Sequence, residues 1–254
     1  MADGFDPARR RAIFAEAVRQ ADITRSVIVT GSFRAGTSFV CTMLGNNGLP
    51  GTDQERFGGF WQAGPDKPEA AFQDRVSEIL STAQHGIFTA KLMWPHRNFL
   101  AQALGFARAD SAAFAAIFPD ARWIDIRRRD KFSQAISFWK AKLTDRWHVY
   151  ADEAEPQVTY DFKAIRAAFV ELSAHDLLWQ DFHDQAGTAA NCIVYEDFLA
   201  DVDAGLGALL AALGPDHRHN TPPLTASTRL RRQGNDQSQA IRDRFLADLY
   251  KTGF

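Results

Sequence analysis

The chain of 254 residues carries 29 Lys and Arg against 31 Asp and Glu, a formal net charge of −2. A general nucleic-acid binder usually has a clear basic excess, so any anion site here must be local. Cys41 and Cys192 form neither a disulfide framework nor a metal-ligand cluster, which favours a reducing, cytoplasmic compartment. The N-terminus lacks a signal-type apolar region, and no run of about 18 apolar residues predicts a transmembrane segment.

Short apolar segments rich in β-branched or aromatic residues predict the strands of an α/β fold. They span residues 26–30, 88–93, 122–126 and 192–195. Helical periodicity occupies the intervals, at residues 8–21, 37–45, 97–118, 131–147, 161–185 and 197–213. Strands that alternate with helices predict a mainly parallel sheet flanked by helices, in a single domain over residues 1–254. Ligands of such sheets bind at the carboxyl ends of the strands.

Two segments are predicted to be irregular. Residues 45–70 contain six Gly and three Pro, and residues 214–236 are basic and rich in turn-forming residues. Long ordered loops in compact domains are often functional.

The segment after the first predicted strand reads GSFRAGTS over residues 31–38. A strand, a glycine-bounded loop and a helix start direct N–H groups and the positive end of the helix dipole at an anion, as in a P-loop. Thr37, however, stands where a nucleoside-triphosphate P-loop has its lysine. ATP chemistry is therefore disfavoured. Arg34 and the hydroxyls of Thr37 and Ser38 suit a smaller anion that needs no metal.

A second anion site is predicted where the third strand runs into three arginines at residues 127–129. Asp130 is a good N-cap for the helix that follows, and Ser137 lies about two turns into it. Arg232, in a later basic cluster over residues 229–232, is a candidate to close over the same site, with a plain basic loop as the alternative. Two anion sites suggest a ligand with two separated phosphates, such as a 3′-phosphorylated adenosine nucleotide.

Four segments occur in an order typical of a known family. They are residues 33–38 (FRAGTS), 54–57 (QERF), 91–94 (KLMW) and 128–141 (RRDKFSQAISFWKA). On these segments the chain resembles the trehalose 2-sulfotransferase-like family of bacterial carbohydrate sulfotransferases, which use 3′-phosphoadenosine 5′-phosphosulfate (PAPS). The resemblance implies the sulfotransferase fold, PAPS as donor, adenosine 3′,5′-bisphosphate (PAP) as product and no metal. It also implies a carbohydrate or glycolipid acceptor and a possible homodimer.

The resemblance further implies roles for individual residues. The loop residues that would bind the 5′-phosphosulfate are Arg34, Ala35, Gly36, Thr37 and Ser38. Arg128 or Arg129, together with Ser137, would bind the 3′-phosphate. Glu55 would be the general base, and Lys91 and Arg34 would stabilise charge on the leaving group. Without the resemblance, a glutamate such as Glu55 in a loop is more often a solvated surface acid, and Lys91 is equally a salt-bridge partner.

Three positions depart from the family pattern. Phe33 replaces the usual proline, Ala35 a common serine, and Arg56 an aromatic residue. These changes leave the acceptor open among trehalose, a glycolipid, a polysaccharide and a small alcohol. Two other functions compete with sulfuryl transfer. One is a P-loop nucleotide kinase or NTPase with a degenerate loop, and the other is a non-catalytic module that binds PAP.

Overall fold

The protein is described by a computed structural model that covers residues 5–49, 51–60, 66–147, 156–214 and 236–252. Within these ranges the strands are β1 (Arg25–Gly31), β2 (Ile87–Met93), β3 (Ala121–Arg127) and β4 (Asn191–Val194). The helices are α1 (Pro7–Gln20), α2 (Thr37–Asn46), α3 (Glu69–Leu80), α4 (Trp94–Ala103), α5 (Ser111–Ala115), α6 (Lys131–Thr144), α7 (Phe162–Ala186), α8 (Tyr195–Ala200), α9 (Val202–Leu213) and α10 (Asp236–Thr252). None of these helices is both long and apolar enough to cross a membrane.

The four strands form one parallel sheet in the order β2-β1-β3-β4. The α/β prediction with a parallel sheet is therefore confirmed. Gly31, the last residue of β1, lies level with Met93 of β2 and Ile126 of β3. The carboxyl ends of these strands thus meet at one edge, where the sequence places its candidate ligands.

Apolar side chains cover both faces of the sheet. Val27 and Val29 of β1 face a cluster with α2 and α9, whereas Ile28 faces the opposite, aromatic-rich cluster. This alternation follows from the two-residue period of a strand. A third cluster joins α6, α7 and α10. The sheet edge at which the carboxyl ends of the strands meet, called the site edge below, is therefore held by a buried cluster on each face of the sheet.

Two predicted helices are interrupted. The helix predicted at residues 97–118 is α4 followed by α5, because the chain turns at Gly105 with φ of 67°. The helix predicted at residues 197–213 is divided at Asp201, whose carboxylate accepts a hydrogen bond from the N–H of Ala204 and caps α9. Helices α3 and α10 were not predicted. Of the basic segment predicted over residues 214–236, residues 215–235 lie outside the described chain.

Candidate active site

The loop between β1 and α2 places the first turn of α2 at the site edge. Gly36 is the N-cap of α2 and has φ of 93°. A Cβ atom at Gly36 would lie 2.1 Å from the ring of Tyr195, so only glycine fits there. The N–H groups of Thr37 and Ser38 begin the helix and have no intrahelical partner, as at every helix start. This arrangement is suited to an anion.

Buried donors fix the shape of this loop. The Gln134 amide donates to Ser32 Oγ and to the Phe33 carbonyl, both at 2.8 Å. The Trp179 indole donates to the Gly31 carbonyl at 3.1 Å. Ala35 packs its methyl group into the apolar core, and its N–H donates to the Ser32 carbonyl at 3.3 Å. Ala35 therefore helps to fix the shape of the loop and supplies no side-chain ligand.

Lys91 brings an ammonium group to the start of α2 from the neighbouring strand β2. Its Nζ lies 3.2 Å from Ser38 Oγ and 3.0 Å from Glu55 Oε1. The side chain is only 4% exposed. A P-loop supplies this charge from the position that Thr37 occupies here, and Thr37 is buried. Lys91 therefore brings an ammonium group to the start of α2, where the loop itself has no lysine.

Glu55 is held beside Lys91 by a segment that runs along the outer edge of β2. The N–H of Lys91 donates to the Gln54 carbonyl at 3.1 Å, and Arg56 Nε donates to the Thr89 carbonyl at 3.2 Å. Phe57 is fully buried in the aromatic cluster below. The Glu55 carboxylate itself remains 38% exposed. The segment that carries Glu55 is therefore anchored in the core by Phe57, while the carboxylate is accessible to solvent.

His96, in the first turn of α4, lies on the other side of the same carboxylate. Its Nε2 is 3.6 Å from Glu55 Oε2. Burial lowers the pKa of His96, Glu55 opposes this shift, and Lys91 adds to it. His96 was not predicted as a site residue. The signal available in the sequence was its place in the helix that directly follows the strand bearing Lys91.

The three arginines after β3 have different surroundings. Arg127 pairs with Asp125 at 2.7 Å. Arg129 pairs with the exposed carboxylate of Asp197 at 2.6 Å and is itself 62% exposed. The guanidinium of Arg128 donates to the Arg34 carbonyl at 3.2 Å, and its Nε lies 3.9 Å from Glu196 Oε1. Among the three, Arg128 is therefore the one that lies against the anion loop.

Arg34 links the loop to α6. Its Nε donates to Ser137 Oγ at 2.9 Å, and its NH1 donates to the Trp147 carbonyl. Burial and the neighbouring charge of Arg128 lower the pKa of Arg34 to about 10, while Tyr195 opposes the shift. Both guanidinium groups are cationic at neutral pH, so the structure concentrates positive charge here. An anion bound beside the pair would relieve this repulsion.

Tyr195 is a second residue that the sequence analysis missed. Its ring packs on Gly36, and the Arg128 guanidinium lies 5.8 Å from its centroid. Phe39 of α2 packs edge-on at 6.4 Å. The predicted ligand Arg232 lies outside the described residues. Among the described residues, no group of three His, Cys, Asp or Glu is placed to hold a metal ion.

The arrangement joins a helix-start anion site, a buried ammonium and an accessible carboxylate. Comparison with known proteins identifies its family. The model of the Stf0 sulphotransferase family matches residues 26–248, which include the whole site edge.

Two relatives are both named trehalose 2-sulfotransferase. The protein from Mycobacterium tuberculosis (strain ATCC 35801 / TMC 107 / Erdman) is 25% identical over 264 aligned residues, which cover 90% of this chain and 97% of the relative. The protein from Mycolicibacterium smegmatis (strain ATCC 700084 / mc(2)155) is 26% identical over 196 residues, which cover 74% of this chain and 72% of the relative. The resemblance found in the sequence is confirmed. The chain belongs to the Stf0 sulphotransferase family and is a sulfotransferase.

Proposed function

We propose that the protein transfers the sulfuryl group of PAPS to a carbohydrate hydroxyl, with Glu55 as general base. One observation carries the proposal: Lys91 Nζ contacts both Ser38 Oγ, at the anion loop, and Glu55 Oε1. Sulfuryl transfer requires a site for the leaving phosphate and a base beside the attacking hydroxyl. In this protein the Lys91 ammonium group contacts both the loop proposed to bind the leaving phosphate and the proposed base.

The donor is assigned to the anion loop on the chemistry of its residues. The first N–H groups of α2, the hydroxyls of Thr37 and Ser38, and the Lys91 ammonium suit the 5′-phosphosulfate. Arg128 and Ser137, joined through Arg34, suit the 3′-phosphate. We propose Arg128 rather than Arg129 for this role, because Arg129 is exposed and paired with Asp197. Arg232 stays a prediction for the same phosphate.

Phe39 and Tyr195 supply apolar ring surface beside the loop, which suits the adenine base. The two rings pack at a centroid distance of 6.4 Å. Both side chains are partly exposed, so part of each ring surface is accessible to a ligand.

In the proposed reaction PAPS supplies an activated sulfuryl group. Glu55 accepts the proton of the acceptor hydroxyl while that oxygen forms a bond to sulfur. The bond between sulfur and the 5′-phosphate oxygen breaks in line. Lys91 and the N–H groups of α2 stabilise the charge that develops on this oxygen, so PAP leaves. The residues that act need no metal in this scheme.

Aromatic rings next to His96, the neighbour of Glu55, favour a sugar as the acceptor. The Phe33 ring lies 5.8 Å from the Trp147 ring and 6.0 Å from His96. Sugars pack their C–H faces on such rings, and polar neighbours fix their hydroxyls. Both relatives are named for trehalose, so trehalose is the first acceptor to test, followed by glycolipids and polysaccharides.

The experiment compares wild type with Glu55→Gln, and with Asp53→Asn as a control from the same exposed loop. Transfer of labelled sulfuryl from PAPS to trehalose and other sugars is measured. The melting temperature is recorded with PAP and, separately, with ATP and Mg²⁺. We expect PAP to stabilise both wild type and Glu55→Gln, by about 2.7 kcal/mol at 100 times its Kd. Glu55→Gln should lower transfer at least about 100-fold, and Asp53→Asn should leave it unchanged.

Three outcomes would contradict parts of the proposal. Stabilisation by ATP and Mg²⁺ without any effect of PAP would favour a kinase or NTPase. Stabilisation by PAP with no transfer to any acceptor would favour a non-catalytic binding module. Full transfer by Glu55→Gln would remove Glu55 from the role of base.

We further propose a single domain over residues 1–254 that acts as a homodimer in the cytoplasm. Val170 and Leu177 expose apolar side chains on α7, which supports an interface there. Cys41 and Cys192 are both free thiols, the form that a reducing compartment maintains. Sedimentation of the full chain would test the dimer directly.

A further inference from the structure

A buried histidine lies beside the proposed base, at the carboxylate oxygen with which Lys91 does not pair. Lys91 Nζ lies 3.0 Å from Glu55 Oε1, and His96 Nε2 lies 3.6 Å from Glu55 Oε2. The two oxygens of the carboxylate therefore face two different nitrogen groups. We infer that His96 is a positioning residue, whose neutral imidazole holds Glu55 in the orientation that accepts the acceptor's proton. This inference rests on the proposed role of Glu55.

The local fold explains why both groups reach the same carboxylate. Helix α4 begins at Trp94, directly after the last residue of β2, with a proline in its first turn that favours a helix start. His96 therefore follows Lys91 closely in the chain, at the same edge of the sheet. Changing the length of this junction would move the imidazole relative to the ammonium.

The imidazole has little room to move. His96 is 7% exposed, and its ring packs edge to face with Phe33, with 6.0 Å between the ring centroids and an interplanar angle of 78°. On the other side is the turn over residues 55–58, in which the Gly58 N–H donates to the Glu55 carbonyl at 2.7 Å. A Cβ atom at Gly58 would lie 3.5 Å from His96 Cε1 and Nε2. The ring thus packs against the turn that carries Glu55.

The surroundings also select one tautomer. His96 Nδ1 is buried and has no hydrogen-bond partner among the described residues. Buried N–H groups without a partner are rarer than buried acceptors without one, so the proton belongs on Nε2, where it faces Glu55. In this tautomer the Nε2 N–H faces the carboxylate oxygen at 3.6 Å, slightly beyond hydrogen-bond distance, and leaves the negative charge of Glu55 intact. A protonated imidazole would instead make Glu55 a weaker base.

The charge state of His96 follows from the groups that face it. Burial moves its pKa below 6.5, Lys91 lowers the pKa further, and Glu55 raises it. The start of α4 also disfavours a positive charge. His96 is therefore neutral at pH 7 and becomes an imidazolium only in acid. Transfer should accordingly be lost as the pH falls through the pKa of His96.

The first test uses three variants. His96→Phe keeps a ring without a donor, His96→Gln restores a neutral N–H group, and His85→Asn changes an exposed histidine at the opposite end of β2. We expect His96→Phe to lower kcat for transfer from PAPS to trehalose at least about tenfold. The KM for PAPS and the Kd for PAP should stay within about twofold, because His96 packs on the Phe33 ring of the loop and not on the hydroxyls or guanidinium groups proposed to bind phosphate. His96→Gln should retain most of kcat, and its acid limb should move to lower pH.

A second readout does not depend on turnover. The imidazole pKa of His96 is followed by NMR in wild type and in Glu55→Gln, with His96→Gln used to assign the signal. Loss of the carboxylate should lower this pKa, because Glu55 raises it in the native protein. An unchanged pKa would overturn the inference.

The two proposals fail in different ways. If Glu55→Gln keeps full transfer, the proposed base is wrong. If Glu55→Gln loses transfer while His96→Phe and His96→Gln match wild type in kcat and pH profile, only the role of His96 is wrong. Equal losses of kcat in both His96 variants, with equal losses of melting temperature and an unchanged profile, would make His96 merely structural.

Discussion

Replacing Lys91 with methionine separates a catalytic role from a structural one. Methionine keeps a flexible apolar chain and removes the ammonium group. In the native protein this group is 4% exposed, 3.0 Å from Glu55 Oε1 and 3.2 Å from Ser38 Oγ. The variant therefore removes one charge from the point where the proposed base and the proposed leaving-group site meet.

The variant should change the free energy of unfolding only slightly and the activation free energy of transfer much more. At 3.0 Å and an effective dielectric constant of about 20, the attraction between Lys91 and Glu55 is about 5 kcal/mol. Desolvation of the buried ammonium opposes it by several kcal/mol, and the 38% exposed carboxylate is partly screened by water. We expect the free energy of unfolding to change by only about 1 kcal/mol. Loss of a donor that stabilises transition-state charge costs about 100- to 1,000-fold in kcat.

The assay combines single-turnover transfer from PAPS with urea unfolding of the same preparations. Glu55→Gln serves as the reciprocal variant. It leaves the buried ammonium opposite a neutral amide, so it should destabilise the fold by about 1–3 kcal/mol, more than Lys91→Met does. If Lys91→Met unfolds more than about 3 kcal/mol more easily, yet transfers normally when folded, Lys91 is a structural salt-bridge partner and our reasoning is refuted.

Three further variants test the anion loop by calorimetry and thermal unfolding. Arg128→Ala should weaken PAP binding about 10- to 100-fold, whereas Arg129→Ala should change it less than about threefold. The reverse order would move the phosphate to the exposed pair of Arg129 and Asp197. Gly36→Ala should lower the melting temperature by several degrees and abolish PAP binding, because its Cβ would meet Tyr195 at 2.1 Å and φ is 93°. An unchanged melting temperature would mean that the loop relaxes away from the ring.

The sheet was predictable because its strands are short runs rich in β-branched or aromatic residues, a composition typical of strands. The breaks in the helices were not. Apolar residues recur at helical spacing on both sides of Gly105 and of Asp201, and the turn between them depends on tertiary packing. A Cβ atom at Gly105 would meet Pro7 of α1 at 2.3 Å, a contact that local periodicity does not reveal.

The same distinction holds for the site. The strand, loop and helix start around Arg34, Gly36 and Ser38 were predictable because they are a local sequence feature. The choice among the arginines after β3 depends on acidic partners in α8: Asp197 pairs with Arg129 at 2.6 Å, whereas Glu196 lies 3.9 Å from Arg128. Tyr195 approaches Gly36 only after β4 has joined the sheet. These contacts join residues that are distant in the sequence, so they could be identified only from the structure.

Glu55 lies between these cases, because a motif marks the residue but tertiary packing orients it. Phe57, two positions later, is fully buried, and its ring lies 6.2 Å from the rings of both Phe88 and Phe118. If this anchor holds the segment against β2, Phe57→Leu should lower kcat about tenfold or more while PAP binding persists.

Phe118→Leu is the matched control, since Phe118 lies in the same cluster but on no segment that reaches the site. Both variants should lose a similar free energy of unfolding, about 1–3 kcal/mol, because each leaves a similar gap in one core. Transfer is therefore compared per folded molecule, well below either melting temperature. Equal kcat for the two variants would show that Glu55 keeps its place without the anchor, held by Lys91 and the backbone of β2 alone.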